Sequence, residues 1–364
     1  MRTLIAVVLV AASLPFTLRT YAGIRPSFSL DHCTWHATHI VVTTEGDKID
    51  GKLTVLESWR GDLRPGEVIS ISELASFKSR SFREIKTSPL MFDARSDEPK
   101  KYVTGSRMIL FLKKKDQSPD KSPIRANNSQ PLDQWEPASQ NINVSVLWIE
   151  GDQSFAFIQV MNPGDSILTY YRDSEKEIRD QAFEVMHLQE KENAALAIED
   201  ESRRAEALAP FASSELYYAR DRALAELQKC GKAGLPVLQR MLGDQTILKV
   251  HGEVIKSLAA AGGDEVADMI IAVVKEELAF WRETGPRLRP DWWNNIDKPE
   301  TEALRNRYSK VLEALYSLRK LKVASCKEVV TEFRDFWRSL PQLDDKSGLD
   351  QMSEECDKVL LALP

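Results

Sequence analysis

Leu216-Tyr-Tyr-Ala-Arg-Asp-Arg-Ala-Leu-Ala-Glu-Leu-Gln-Lys-Cys-Gly-Lys-Ala-Gly-Leu-Pro-Val-Leu-Gln-Arg-Met-Leu242 carries the pattern that decides the fold of the second half of this chain. Leu216, Ala219, Ala223, Leu224 and Leu227 recur at helical spacing and share a face, Gly231 stops that helix, and Leu235, Leu238, Met241 and Leu242 form the face of a second one. The same two roles return at once. Val254, Ile255, Leu258 and Ala259 are stopped by Gly262-Gly263, and Val266, Met269, Ile270, Val273, Val274 and Leu278 follow. Two helix pairs thus recur at a period in the thirties, which is the arithmetic of a repeat stack.

Further helices are expected on either side. Leu304, Tyr308, Val311, Leu312, Leu315 and Leu318 make a third first-helix face. A capping box at Ser325 and Glu328 is expected to open its partner, with Val329, Val330, Phe333, Phe336, Trp337 and Leu340 facing inward. Leu349, Met352, Cys356, Val359, Leu360 and Leu363 form a last amphipathic helix suited to closing the stack. Upstream, Ser174 and Glu177 form another capping box, and no Gly or Pro interrupts the sequence from there to Pro210. One long helix or two abutting ones therefore fill 175–209, and the charged stretch 190–206 reads as an exposed connector. The segment 231–242, with Pro236 early in its helix, resembles the second helix of a HEAT repeat. That resemblance implies a HEAT-like helical repeat domain over 213–364, preceded by a helical connector over 173–212, and it implies protein binding along an extended surface.

The first half follows a different pattern. His39–Thr44, Leu53–Trp59, Val68–Ser72, Met108–Leu112, Val144–Ile149 and Phe155–Val160 are short apolar runs or alternations, separated by turns such as Gly46-Asp47 and Gly151-Asp152. Asp116–Pro137, rich in Ser, Pro, Asn and Asp, reads as a long surface loop. Strands this short are expected to close into a small antiparallel barrel over 23–172, because closure removes exposed edges. The runs Thr54-Val-Leu-Glu-Ser-Trp-Arg-Gly-Asp-Leu63 and Gly105-Ser-Arg-Met-Ile-Leu-Phe-Leu112 resemble exported bacterial domains related to the netrin-like, OB-type barrel of metalloproteinase inhibitors. In that family an N-terminal cysteine chelates the protease metal through its free amine. Cys33 lies well inside the expected mature end here, so inhibition is not carried over. The fold class expected is multidomain α and β, an OB-like barrel followed by HEAT-like helices.

Compartment is read from the start of the chain. Arg2, the apolar run Leu4–Leu14 and the polar stretch Thr17–Tyr21 ending in Ala22 have the order of a signal peptide, residues 1–22, with Thr20 and Ala22 at the −3 and −1 positions. The run is shorter than the roughly 20 residues that cross a bilayer, and no later stretch approaches that length. A protein exported to the periplasm or beyond, with no membrane span after cleavage, is the expectation. The net charge of −6 argues against a nucleic-acid partner, which would require a basic face. Residues 23–172 carry 19 basic and 19 acidic side chains, whereas 173–364 carry 28 and 36, so the acidic excess belongs to the helices.

Candidate site residues are few. His32, His36 and His39 place three of the five histidines within eight residues. If 29–37 is a helical turn, His32 and His36 stand at i and i+4, a spacing that lets two imidazoles share a divalent metal such as zinc, with His39 or Cys33 as third ligand. A chance cluster is the plainer alternative. Trp292 and Trp293, in a Pro- and Asn-rich insertion, either present aromatic anchors to a partner or fold back over adjoining helices. Of the four cysteines, Cys326 and Cys356 are the candidate disulfide, although a hairpin centred near Asp344 would leave them about six residues, roughly 9 Å, out of register. Asn127 and Asn143 fit the N-glycosylation pattern. No Ser/His/Asp order, GxSxG elbow, Walker or Rossmann motif appears, so no catalytic residues and no organic cofactor are assigned. Binding to a protein partner is the expected function, with a metal-dependent site at the histidines as the alternative.

Overall fold

The computed structural model describes residues 28–45, 51–71, 74, 81–85, 100–101, 107–114, 135–139, 145–158, 167–288, 299–340 and 351–364. The expected signal peptide, the glycosylation-motif asparagines Asn127 and Asn143 and the Trp292-Trp293 pair lie outside these residues. The chain divides into two compact units, Met1–Ala182 and Phe183–Pro364, with the division inside a long helix.

The first unit is one sheet with a short helix on it. Helix α1 (Leu30–His36) begins at Ser29, whose hydroxyl accepts the His32 N–H at 3.4 Å. The strands are β1 (His39–Glu45), β2 (Lys52–Arg60), β3 (Val68–Ser70), β4 (Ser81–Ile85), β5 (Lys100–Lys101), β6 (Arg107–Lys114), β7 (Trp135–Pro137), β8 (Val146–Glu150), β9 (Gln153–Ile158) and β10 (Ile167–Ser174). They pair in the order β3-β2-β1-β6-β8-β9-β10-β4-β5, with β7 beside β6. All pairs are antiparallel except β10 with β4. In the described pairing β3 and β5 are separate ends, so the sheet is open where a closed barrel was expected.

The centre of the sheet explains why its strands read as unbroken apolar runs. Strand β1 is held between β2 and β6, with Val41 opposite Leu110 and Ile40 opposite Phe111. One face meets the cluster of Val41, Leu53, Val55, Leu110, Trp135, Trp148 and Phe155. The other is covered near α1, where the Phe28 ring lies 5.6 Å from that of Phe111. Strands wet on neither face have no reason to alternate. Strand β7 corrects the expected loop over 116–137: Trp135 is buried and pairs with Lys114.

The second unit is helical. It holds most of α2 (Glu175–Leu196), then α3 (Glu201–Ala212), α4 (Tyr217–Lys229), α5 (Leu235–Gly243), α6 (His251–Ala261), α7 (Asp264–Thr284), α8 (Pro299–Leu321), α9 (Lys327–Ser339) and α10 (Gln351–Ala362). The Ser174 box forms as expected, with the Ser174 N–H donating to Glu177 Oε2 at 2.8 Å. The Ser325–Glu328 box does not. A 3₁₀ turn over Ala324–Cys326 leads directly into α9, and Cys326 at the cap makes no side-chain hydrogen bond to it. The connector is also corrected, because Glu192, Ala195 and Ala205 within it are buried. One core runs through the unit from Ala195 to Val359. At its later end the Trp281 and Trp337 rings meet edge to face at 5.4 Å, and Phe333 stacks on Trp337 at 6.0 Å.

Candidate functional site

The histidines separate as the chain leaves α1. His32 and His36 stay together on the helix face, ring centroids 4.5 Å apart. Burial, with the nearby Lys113 cation, holds both below the ordinary histidine range, and His36 is lowered further by His32. The chain becomes extended at Ala37, and His39 opens β1 among other neighbours. Its Nε2 lies 2.7 Å from Asp62 Oδ1, its Nδ1 lies 2.9 Å from Thr38 Oγ1, and its ring meets Trp135 edge-on at 4.5 Å. The structure therefore does not bring His32, His36 and His39 to one point. Among the described residues no group of three His, Cys, Asp or Glu side chains is placed to hold a metal ion. Cys33 is fully buried, and burial pushes its thiol up to about 12, far from the thiolate that a metal requires.

Thr38, His39 and Asp62 form a hydroxyl–imidazole–carboxylate chain, and its work is fastening. The Thr38 hydroxyl already accepts the Lys114 N–H at 3.1 Å and lies 3.3 Å from the Leu112 carbonyl. Asp62 is exposed, and its hydrogen bond to His39 is the main cause of its lowered carboxyl pKa. Gly61 sits against the imidazole at a φ of +95°, where an added Cβ would come within 2.1 Å of the ring. The chain thus holds the turn after β2 against the start of β1.

The helical unit carries a groove. Lys275, Leu278, Ala279 and Arg282 recur along one face of α7, while Glu328, Val329 and Glu332 face them from α9 with Ser325 just before it. Ala279 and Ser325 are too small to meet, which leaves a hollow of about 340 Å³ above the buried Leu278 and Val329. Arg282 and Glu332 bridge it at 2.6 Å. Lys275 and Glu328 are exposed, and neither forms an ion pair among the described residues. A shallower hollow of about 680 Å³ continues over the outer side of α9, past Glu328, Thr331, Glu332 and Asp335.

No protein-family model, no curated protein and no solved structure matches this chain.

Behind the groove wall, α7 turns other residues inward to a buried ionic cluster that sequence reading missed. Glu277 and Lys310 are both fully buried, with Lys310 Nζ 3.0 Å from Glu277 Oε1. Arg307 donates to the same oxygen at 2.8 Å and to Gln245 Oε1 at 2.7 Å, with its guanidinium 4.0 Å above the Phe280 ring. His251, also fully buried, places Nε2 3.0 Å from the Asp244 carbonyl. Burial first, then the Lys310 cation, holds its pKa below the usual value. Residues from several elements are joined here, so the cluster acts as a joint between them. Glu192 with Arg222 at 3.2 Å and Glu355 with Arg319 at 2.8 Å repeat the device, a buried glutamate clasped by an arginine from another helix. The only legible signal was the (i, i+3) pair Arg307 and Lys310 interrupting an apolar helix face.

The expected Cys326–Cys356 disulfide is not formed. All four cysteines are buried thiols, Cys326 and Cys356 within the same helical core.

Proposed function

We propose that the protein is an exported binding protein that holds a protein partner on its helical unit and makes or breaks no bond. The observation that carries this reading is the α7–α9 groove: an apolar floor, small residues that keep it open, and two exposed charges with no ion pair among the described residues. A concave hollow between two helices, with an apolar base and charged groups converging at its rim, is the kind of place that holds a partner's side chain. In the same proposal the successive helix pairs act as HEAT-like repeats, each packed on its neighbours and leaving one surface continuous for a partner.

The test is crosslinking and co-purification from the native exported fraction with the full chain as bait, run beside Ser325→Trp, which fills the groove from an exposed position. A protein captured by the wild type and lost with Ser325→Trp supports the proposal. A set of captured proteins that is the same for both chains, or the absence of any, overturns it.

A further inference from the structure

We infer that the α7–α9 groove takes an extended peptide segment in which an apolar residue is flanked by a basic and an acidic one; this rests on the proposed binding function and gives the partner its chemistry. Three features set that chemistry. The floor is Leu278 and Val329, both nearly fully buried, and the space above it exists because Ala279 and Ser325 are small. That space suits an apolar side chain of modest size, not a large ring system. The walls carry opposite charge, with the one pair that can close, Arg282 with Glu332, already closed at 2.6 Å. Lys275 on α7 and Glu328 before the second turn of α9 are left exposed and without an ion pair among the described residues. A nucleotide or a phosphate would satisfy Lys275 and be repelled by Glu328, Glu332 and Asp335. A polybasic segment would meet the converse conflict at Lys275, Arg282 and Lys327. A segment carrying one charge of each sign is complementary to both walls.

The second hollow gives an extended occupant a path onward from the first. It shares Ser325, Glu328 and Glu332 with the first, so Glu328 stands between two hollows and faces both. A chain that lays its apolar residue over Leu278 and Val329 passes Glu328 as it leaves, which is where its basic side chain is placed. Its acidic group lies toward Lys275 at the other side of the first hollow.

The experiment is selection of peptides from a random dodecapeptide display library on the immobilised full chain. Affinities of the selected peptides are then measured by fluorescence anisotropy for wild type, Lys275→Glu, Glu328→Lys and the double exchange. Both positions lie on the surface, and circular dichroism checks that each variant keeps its helix content. The expected result is enrichment of peptides with a Lys or Arg, an apolar residue and an Asp or Glu in close succession. Each single reversal weakens binding about tenfold, most at low salt. The double exchange favours peptides whose basic and acidic positions are swapped, an outcome that general damage to the groove would not produce. Selected peptides without this pattern, or with affinities unmoved by both reversals, overturn the peptide chemistry while leaving the binding function to the Ser325→Trp comparison. A library that yields no binders overturns the peptide chemistry as well.

Discussion

Three histidines lying within eight residues of one another in the sheet unit are dispersed by the fold, while Gln245, His251, Glu277, Arg307 and Lys310 in the helical unit are spread over 66 residues of sequence and assembled by it. The difference is one of backbone geometry. A helix that ends at residue 36 and a strand that starts at residue 39 share no face, so a reversal of two residues sends His39 away from His32 and His36. Packed helices do the reverse, placing residues distant in sequence against one another, as in Glu277 with Arg307 and Glu192 with Arg222, each 30 residues apart. Proximity in sequence is therefore a poor guide to chemistry across a helix-to-strand junction, and charged residues some 30 positions apart on packed helices are a better one in the helical unit.

The contrast breaks most readily at Glu277. Replacing it by Ala leaves Lys310 and Arg307 charged without their buried anion and is expected to cost about 3–5 kcal/mol. Urea unfolding of the full chain, followed by its helical circular dichroism, measures this; a loss below about 1 kcal/mol would mean that the cluster does not join the helices. Gly61→Ala tests the fastening in the sheet unit. The added Cβ meets the His39 ring and the φ of +95° is strained for alanine, so about 1–3 kcal/mol is expected. Part of that loss should vanish in a His39→Ala background, where only the backbone strain remains; equal losses in both backgrounds would show that the imidazole is not held against the turn.

A pH titration sharpens the comparison further. His251 has a folded pKa below its unfolded value near 6.5, so the native state binds fewer protons there and stability falls as pH falls through 6.5 toward the lowered value. Above 6.5 the residue contributes no slope. Stability measured from pH 8 to pH 5 should therefore decline more steeply for the wild type than for His251→Gln, and parallel curves would remove His251 from the account. The smallest effect is expected at His36, which is half-buried on α1 and packs on His32. His36→Ala should stay within about 0.5 kcal/mol of wild type, and a larger loss would show that the histidine pair holds the sheet unit together.

Much of the fold is legible in the sequence. Glycine stops and periodic leucines place the helices between Tyr217 and Thr284 closely, and the apolar runs locate β1, β2, β6, β8 and β9. Four strands escape: β4, β5 and β7 are five, two and three residues long, too short for a period of two to register, while β10, eight residues long, ends at Ser174, the residue that opens the capping box of the following helix. Glu192 escapes for another reason. Charge reads as exposure until the arginine that neutralises it is known, and Arg222 lies on a different helix. Of the groove, only Leu278 and Val329 are read from the sequence, each as part of a core face. The recurrence 275, 278, 279 and 282 marks a face of α7, but nothing local says that α9, with all of α8 between them in sequence, supplies the opposite wall.

The four thiols have a consequence for how the chain moves. With Cys33 and Cys356 at about 12, the reactive thiolate is on the order of one part in 10⁵ at neutral pH, and neither sulfur is reachable from solvent in the native state. Oxidants and alkylating reagents thus find little to react with at these two sulfurs in the folded chain. Any thiol label that does attach has entered through a transient opening. Cys33 then times the breathing of the sheet unit, and Cys230, Cys326 and Cys356 time that of the helices, four native clocks within a single chain.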